Sequence, residues 1–290
     1  MTLPAFSICI VGLGLMGGSL ALALRDQPAP AALPIARIVG VSRSQATLDA
    51  ALAAGAVDVA TTDLAAGVAE ADVIVLAAPV RTILRLLPEV GLAARPGALV
   101  LDMGSSKAQI CAAMADLPAG VQPVGAHPMC GKETAGFAAA EAGLYRDRPF
   151  VLCPLPRTVP AALETARSLA LAVGGRPLVI EPAAHDRAVA AISHLPYAVA
   201  ATVVGTVAAA DDPLVWRLAA SGFRDTTRVA ASDVDMMLDT LLTNRAAVLA
   251  WVDEFAAQWA ALRAELVAED EVALRTRLAA VQARRAGMRF

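Results

Sequence analysis

Near neutral pH this chain has few side chains that can move a proton. It carries three histidines, His127, His185 and His194, and arginine supplies nearly all of its 24 positive side chains, leaving Lys107 and Lys132 as the lysines. Both lysines and one histidine fall in two glycine-punctuated stretches, Asp102-Met-Gly-Ser-Ser-Lys107 and Gly125-Ala-His-Pro-Met-Cys-Gly-Lys-Glu133. Imidazole is the side chain whose ordinary pKa suits general acid/base work in this range, which makes His127 the leading candidate base. Cys9, Cys111, Cys130 and Cys153 lack metal-ligand spacing and suit reduced, cytoplasmic thiols, so no metal site is expected.

Upstream lies a partner for such a base. The β-rich run Phe6-Ser-Ile-Cys-Ile-Val11 leads into Gly12-Leu-Gly14-Leu15-Met16-Gly17-Gly18 and then an apolar, helical-looking stretch to Arg25. Strand, Gly-x-Gly-x-x-Gly and helix in that order form the dinucleotide fingerprint: Gly12 for the tight turn, Gly14 for close approach of the pyrophosphate, Gly17 for helix-strand packing. A signal peptide or membrane anchor fits this segment poorly, because it lacks a basic leader and glycines interrupt it. The second strand, Ile35 to Val41, ends in Ser42-Arg43-Ser44. An NAD-specific protein usually places a carboxylate there for the ribose 2′-hydroxyl. A guanidinium flanked by two hydroxyls favours the 2′-phosphate of NADP, with NAD as the alternative.

The elements that must position these residues alternate between β and α up to about residue 180. Strands are expected at Asp72 to Pro79, Ala98 to Asp102, Gln122 to Ala126, Pro149 to Cys153 and Arg176 to Ile180, in a mixed, doubly wound α/β sheet of the Rossmann type. Ligand should bind at the carboxyl ends of its strands, where Pro79, Ser105 and His127 fall. From Pro182 the reading is all helical: an apolar stretch from Ala184 to Val207, a helix start at Asp212-Pro213, and one long helix opened by Ser232-Asp-Val-Asp that runs through Leu238, Leu241, Val248 and Trp251. This divides the chain into a dinucleotide-binding domain, 1–181, and a helical substrate and dimerisation domain, 182–290. The 57% hydrophobic content suggests that the second domain buries apolar surface in a homodimer. A net charge of −3 argues against nucleic acid or an anionic membrane as partner, and no uninterrupted apolar span of convincing membrane length is read.

Five motifs in order now carry a resemblance: Gly12-Leu-Gly-Leu-Met-Gly-Gly-Ser19, Asp102-Met-Gly-Ser-Ser-Lys107, Gly125-Ala-His-Pro-Met-Cys-Gly-Lys-Glu133, Ser193-His-Leu-Pro196 and Ser221-Gly-Phe-Arg-Asp-Thr-Thr-Arg228. Together they resemble the prephenate/arogenate dehydrogenase family of tyrosine biosynthesis, across essentially the whole chain. The resemblance implies oxidation of prephenate to 4-hydroxyphenylpyruvate, or of arogenate to tyrosine, with hydride transfer to NAD(P)+ and loss of CO2. It implies that His127 takes the proton of the substrate hydroxyl, that Ser105 orients that hydroxyl or the histidine, and that Arg228 binds a substrate carboxylate. His194 and His185 are expected in a polar network with Asp186, Arg224 and Asp225 between the domains, His194 standing near the substrate.

Departures from the family pattern bear on substrate. Many prephenate-using members read His-Leu-Pro-His, whereas this chain has Tyr197 at the last position, which is more similar to NADP-dependent arogenate enzymes. Glu133 could bind the ammonium of arogenate or serve as a gate or ion pair, and Lys132 stands where a small residue is usual. No room is expected after residue 290 for an ACT regulatory domain, or before residue 6 for a fused chorismate mutase. Two rivals differ in class. A β-hydroxyacid dehydrogenase would need a catalytic lysine in the helical half, and none follows Lys132. A non-catalytic NADP-binding sensor would leave Ser105, His127 and Arg228 unexplained.

Overall fold

The computed structural model describes residues 5–27 and 33–288. Eight strands, β1 (Phe6–Val11), β2 (Ile35–Val41), β3 (Val59–Thr61), β4 (Val73–Leu76), β5 (Leu99–Asp102), β6 (Gln122–Pro128), β7 (Pro149–Pro154) and β8 (Arg176–Val179), form one sheet in the order β3-β2-β1-β4-β5-β6-β7-β8. All neighbours run parallel except β6 and β7. The central strands are continuous apolar runs because a parallel sheet is covered on both faces. Alternate residues divide accordingly between two cores: Ile8, Ile10, Val73, Val75, Leu99 and Leu101 in one, Cys9, Val11, Ile74, Leu76 and Val100 in the other. Edge strand β3 escapes a sequence reading because its three residues are too few to show a period.

Helices α1 (Leu15–Arg25), α2 (Gln45–Ala53), α3 (Leu64–Val68), α4 (Val80–Ala93), α5 (Ala108–Ala115) and α6 (Pro160–Ala172) accompany the sheet. Ser44 and Asp63 cap α2 and α3 by accepting from the Thr47 and Ala66 amides. Beyond β8 come α7 (Pro182–Val189), a five-residue π turn (Ala190–His194), α8 (Leu195–Ala208), α9 (Pro213–Leu218), α10 (Ser221–Thr227), a short 3-10 turn (Arg228–Ala231), α11 (Val234–Thr243), α12 (Arg245–Val267) and α13 (Glu271–Ala286). Residues Met1–Arg245 make one compact unit and Ala246–Phe290 a second. Within the latter, Arg277 holds Glu265 at 2.7 Å and so ties α13 to α12.

Two expectations are corrected. The long helix foreseen from Ser232 ends at Thr243, where Asn244 turns out of helical geometry at φ −114° and ψ 24°. Its amide side chain serves a polar network described below. Also, Pro182–Ala208 forms a helical run long and apolar enough to cross a membrane by length and composition, with mean hydropathy 1.6. From the sequence no uninterrupted apolar span of that length is expected, and this run carries the polar residues His185, Asp186 and His194. These three are buried in hydrogen-bonded contact with residues of β6, α5 and α11, the role of a helix that lines a site.

Candidate active site

Because β1, β2, β4, β5 and β6 are mutually parallel, their carboxyl ends share one edge of the sheet. The Gly12–Gly17 turn, Ser42-Arg43-Ser44, Pro79, the Ser105–Lys107 loop and His127 all leave from that edge.

The glycine turn is built as a phosphate cradle. Gly12 has φ +96°, and a Cβ there would stand 2.3 Å from the Ala77 carbonyl oxygen at the end of β4; a Cβ on Gly17 would stand 1.8 Å from the Gly12 carbonyl oxygen. Both positions therefore exclude a side chain. Gly14 faces open space, where a Cβ would occupy the approach to the backbone. It is also the N-cap of α1 with no side-chain cap and no acidic residue in the first turn, so the amides around Leu15 and Met16 are left to an anion. The residues present fit a bound dinucleotide. At the end of β2, Ser42 and Ser44 shape the turn through the Ser44 amide at 3.3 Å, and Arg43 is exposed with no ion pair among the described residues. Pro79 starts α4 on the loop that closes against Gly12.

His127, half-buried near the end of β6, meets His185 on α7: His127 Nδ1 lies 2.8 Å from His185 Nε2, with the rings edge-on at 5.1 Å between centroids. His185 Nδ1 lies 2.8 Å from Asp186 Oδ1. Burial holds the His127 pKa well below the ordinary imidazole value, and the neighbouring His185, Lys107 and His194 lower it further. The ring is therefore neutral at pH 7 and able to accept a proton. His194 is depressed to about 4 by burial, against the opposing pull of Asp186.

A buried ion pair frames His127. Lys107 and Asp102 are fully enclosed and paired, Lys107 Nζ donating also to the Ala126 carbonyl at 2.7 Å, while Asp102 Oδ1 accepts from the Ala126 amide at 2.9 Å. The peptide of the residue before His127 is thus gripped at both its N–H and its C=O. On the same loop Ser106, rather than Ser105, bonds Thr243 Oγ1 at 2.7 Å. The half-buried Ser105 hydroxyl has no partner among the described residues. Asn244 Nδ2 donates to the Asp186 carbonyl at 2.7 Å and reaches His194 Nδ1 at 3.2 Å.

Arg228 and Glu133, read separately as substrate ligands, are paired with each other. Glu133 is on the loop that follows β6, and the turn carrying Arg228 packs on α8, whose first turn holds the half-buried Tyr197. Lys132 pairs at 2.7 Å with Glu141 on its own side of the structure. Arg224 and Asp225 do not join the histidine network. They pair with each other at 2.9 Å on the outside of α10, both well exposed, and Asn244 takes the place foreseen for them.

The contact of His185 with His127 and the part played by Asn244 were not read from the sequence. One signal was present: two adjacent ionisable residues, His185-Asp186, inside an apolar helix must be satisfied by something buried with them. Nothing comparable marks Asn244, which sits in an apparently unbroken helical pattern.

Comparison with known proteins identifies the family. Residues 20–179 match the family described as prephenate dehydrogenase, nucleotide-binding domain, and residues 181–280 the one described as prephenate dehydrogenase, dimerization domain. The prephenate dehydrogenase of Bacillus subtilis is 35% identical over 272 residues, covering 91% of this chain and 71% of its own length. The crystal structure of Aquifex aeolicus prephenate dehydrogenase, in complex with hydroxyphenyl propionate and NAD+, superposes with TM-score 0.90 at 28% identity, covering 99% of each chain. That of Synechocystis arogenate dehydrogenase gives TM-score 0.81 at 32% identity, covering 97% of this chain and 99% of the other. With a dinucleotide cradle, a neutral histidine on the same sheet edge and family matches along both parts of its length, the chain belongs to the prephenate dehydrogenase family.

Proposed function

We propose that the chain oxidatively decarboxylates arogenate to tyrosine, in preference to prephenate, and uses NADP+ in preference to NAD+. The observation that carries the reaction class is His127: neutral, on the cofactor edge, with Nδ1 engaged by His185 and Nε2 as its remaining ring nitrogen. A dinucleotide held by the Gly12–Gly17 turn and Ser42-Arg43-Ser44 would supply the hydride acceptor for the carbinol carbon of the substrate. His127 Nε2 takes the hydroxyl proton as carbonyl character develops at that carbon. The ring carboxylate then leaves as CO2, its electron pair enters the ring, and the proton on Nε2 returns to the same oxygen to give the phenol. No proton is gained or lost overall, and His127 ends the cycle neutral. Ser105, with its hydroxyl unengaged, orients the substrate hydroxyl.

Substrate preference rests on the Arg228–Glu133 pair and on Tyr197. An amino-acid side chain exchanges one ion pair for two, carboxylate to Arg228 and ammonium to Glu133, and leaves no charge alone. The keto acid of prephenate offers Glu133 nothing to pair with and brings a carboxylate close to it. Tyr197 supplies no positive charge in compensation. His194, tied to Asn244, holds the helix wall of the same site. NADP preference rests on Arg43, free of ion pairs among the described residues, and on the lack of a carboxylate in Ser42-Arg43-Ser44.

In this reading residues 1–181 bind the dinucleotide, and residues 182–290 complete the substrate site and form a homodimer. The exposed apolar residues of the helical part, Leu218 at 71%, Val234 at 73% and Trp259 at 61% among them, support a partner surface. The free thiols of Cys9, Cys111, Cys130 and Cys153 suit a reducing, cytoplasmic setting. The test is a steady-state assay of reduced nicotinamide formation with both substrates and both cofactors. A higher kcat/KM for arogenate with NADP+ is expected; better use of prephenate or of NAD+ overturns the corresponding preference. NADP+ binding without turnover on either substrate would favour the sensor.

A further inference from the structure

We propose that Asp186 and His185 are positioning residues that fix His127 in the tautomer protonated at Nδ1, so that the lone pair of Nε2 always faces the substrate hydroxyl. The proposal rests on the reading of His127 as the base and assigns how that base is kept in working form.

The backbone amides that meet Asp186 fix the direction of every hydrogen bond in this chain of contacts. A backbone amide can only donate. Asp186 Oδ1 receives the Lys107 amide at 2.7 Å and Oδ2 the Ala108 amide at 2.9 Å, so both oxygens are acceptors. Burial opposes ionisation of Asp186, but the His185 ring N–H and these two amides outweigh it and hold the carboxyl below its usual value. A carboxylate in that state has no proton to give. The 2.8 Å contact from His185 Nδ1 is therefore donated by the imidazole. A neutral His185 protonated at Nδ1 carries its lone pair on Nε2, and the 2.8 Å contact between that atom and His127 Nδ1 then requires His127 to donate. Neutral His127 with its proton on Nδ1 has its lone pair on Nε2.

The same logic sets His194 the other way. Asn244 Nδ2 donates to the Asp186 carbonyl at 2.7 Å, which identifies it as the nitrogen end of the amide. The contact from Nδ2 to His194 Nδ1 at 3.2 Å is then donated by Asn244, and His194 carries its proton on Nε2. Asp186 adds a second effect: its two amide contacts are to the start of α5, so one carboxylate anchors both the histidine pair and the loop of Ser105.

The chain has three histidines, which makes the pattern directly readable. A long-range proton-nitrogen spectrum of the imidazoles in 15N-labelled protein, at mildly alkaline pH, is expected to show His127 and His185 protonated at Nδ1 and His194 at Nε2. Finding His127 protonated at Nε2, or His185 doubly protonated, overturns the proposal without recourse to activity. Asp186→Asn should invert His185 and His127 and lower kcat by about 10²–10⁴-fold, with KM for the dinucleotide unchanged. His185→Gln provides the rescue, since its amide can accept from His127 and donate to Asp186. It should keep His127 protonated at Nδ1 and kcat within about tenfold of the parent, whereas His185→Leu should lose both. A folded His185→Leu protein with unchanged kcat and tautomer overturns the relay. Full activity of His127→Asn would instead remove the base assignment and leave the tautomer pattern standing.

Discussion

Lys107→Met is the most exposing test of the frame around His127. Lys107 and Asp102 are both fully enclosed, so removing the cation strands a carboxylate where water does not reach. Two contacts of an ionised donor disappear, one to Asp102 and one to the Ala126 carbonyl at 2.7 Å. Asp102 keeps two amides, from Gly104 at 2.7 Å and Ala126 at 2.9 Å, which soften the loss but do not neutralise the charge. Breaking a buried pair by deleting one partner costs about 3–5 kcal/mol, and the remaining amides place this case toward the lower end. That is a large share of the roughly 5–15 kcal/mol that holds a domain together. Lys107→Met combined with Asp102→Asn removes the stranded charge, and the double variant should recover about 2 kcal/mol relative to Lys107→Met alone. The assay is urea unfolding followed by far-UV circular dichroism at one fixed protomer concentration, comparing midpoints at constant slope. A cost under about 1 kcal/mol for Lys107→Met, or a double variant that loses the sum of the two singles, would refute the description of this pair as mutually dependent.

The other expectations follow from single contacts. His127→Asn should fold and bind dinucleotide but lose about 10²–10⁴ in kcat, and because burial, His185, Lys107 and His194 depress the parent ring, the acid limb of kcat/KM should fall below about pH 6.5; a limb centred above neutrality contradicts this. Arg43→Ala should raise KM for NADP+ by at least about tenfold more than for NAD+, and equal losses would reassign Arg43 to the solvated surface. Tyr197→His should raise kcat/KM for prephenate relative to arogenate by about 1–3 kcal/mol equivalent, and no shift in that ratio would detach Tyr197 from substrate choice. His194, with a folded pKa of about 4 against an ordinary 6.5, takes up its proton earlier when unfolded, so stability is whole above pH 6.5 and declines by about 3 kcal/mol as pH falls to 4; a His194→Gln protein should show a flatter decline in thermal melts across that window.

Local pattern in the sequence carried the nucleotide half of this molecule. A buried parallel strand announces itself as a run such as Val73-Ile-Val-Leu76, and the glycines at 12, 14 and 17 announce the turn that follows β1, because each answers to its immediate neighbours. His127 was legible for a related reason: the end of a central strand is a predictable address. What escaped depends on distant partners. That His185 Nε2 meets His127 across 58 positions, or that Asn244 reaches Asp186 across another 58, is decided by how the helices pack and leaves no trace in spacing. Arg228 and Glu133 were both picked out by motif, yet their pairing emerged only with the fold, since each residue's own surroundings in sequence are ordinary. Arg224 and Asp225, expected in the histidine network, instead pair with each other on the exposed side of α10.

The π turn at Ala190–His194 acts as a phase shifter. On an unbroken α-helix of about 3.6 residues per turn, His185 and His194 would stand about two and a half turns apart, on opposite sides. The wider turn lags the rotation and narrows that angle, with His185 meeting His127 and His194 meeting Asn244. Everything downstream, Tyr197 included, inherits that offset. Five residues in this turn cover about the rotation that four cover in an α-helix, so deleting one of them, Ala191 for example, lets the turn close to α geometry with α8 still in step, whereas deleting one residue from the regular helix on either side would rotate α8 about 100° out of step with α7. The site is therefore encoded partly in a count of residues, and a survey of point substitutions alone would pass over this requirement.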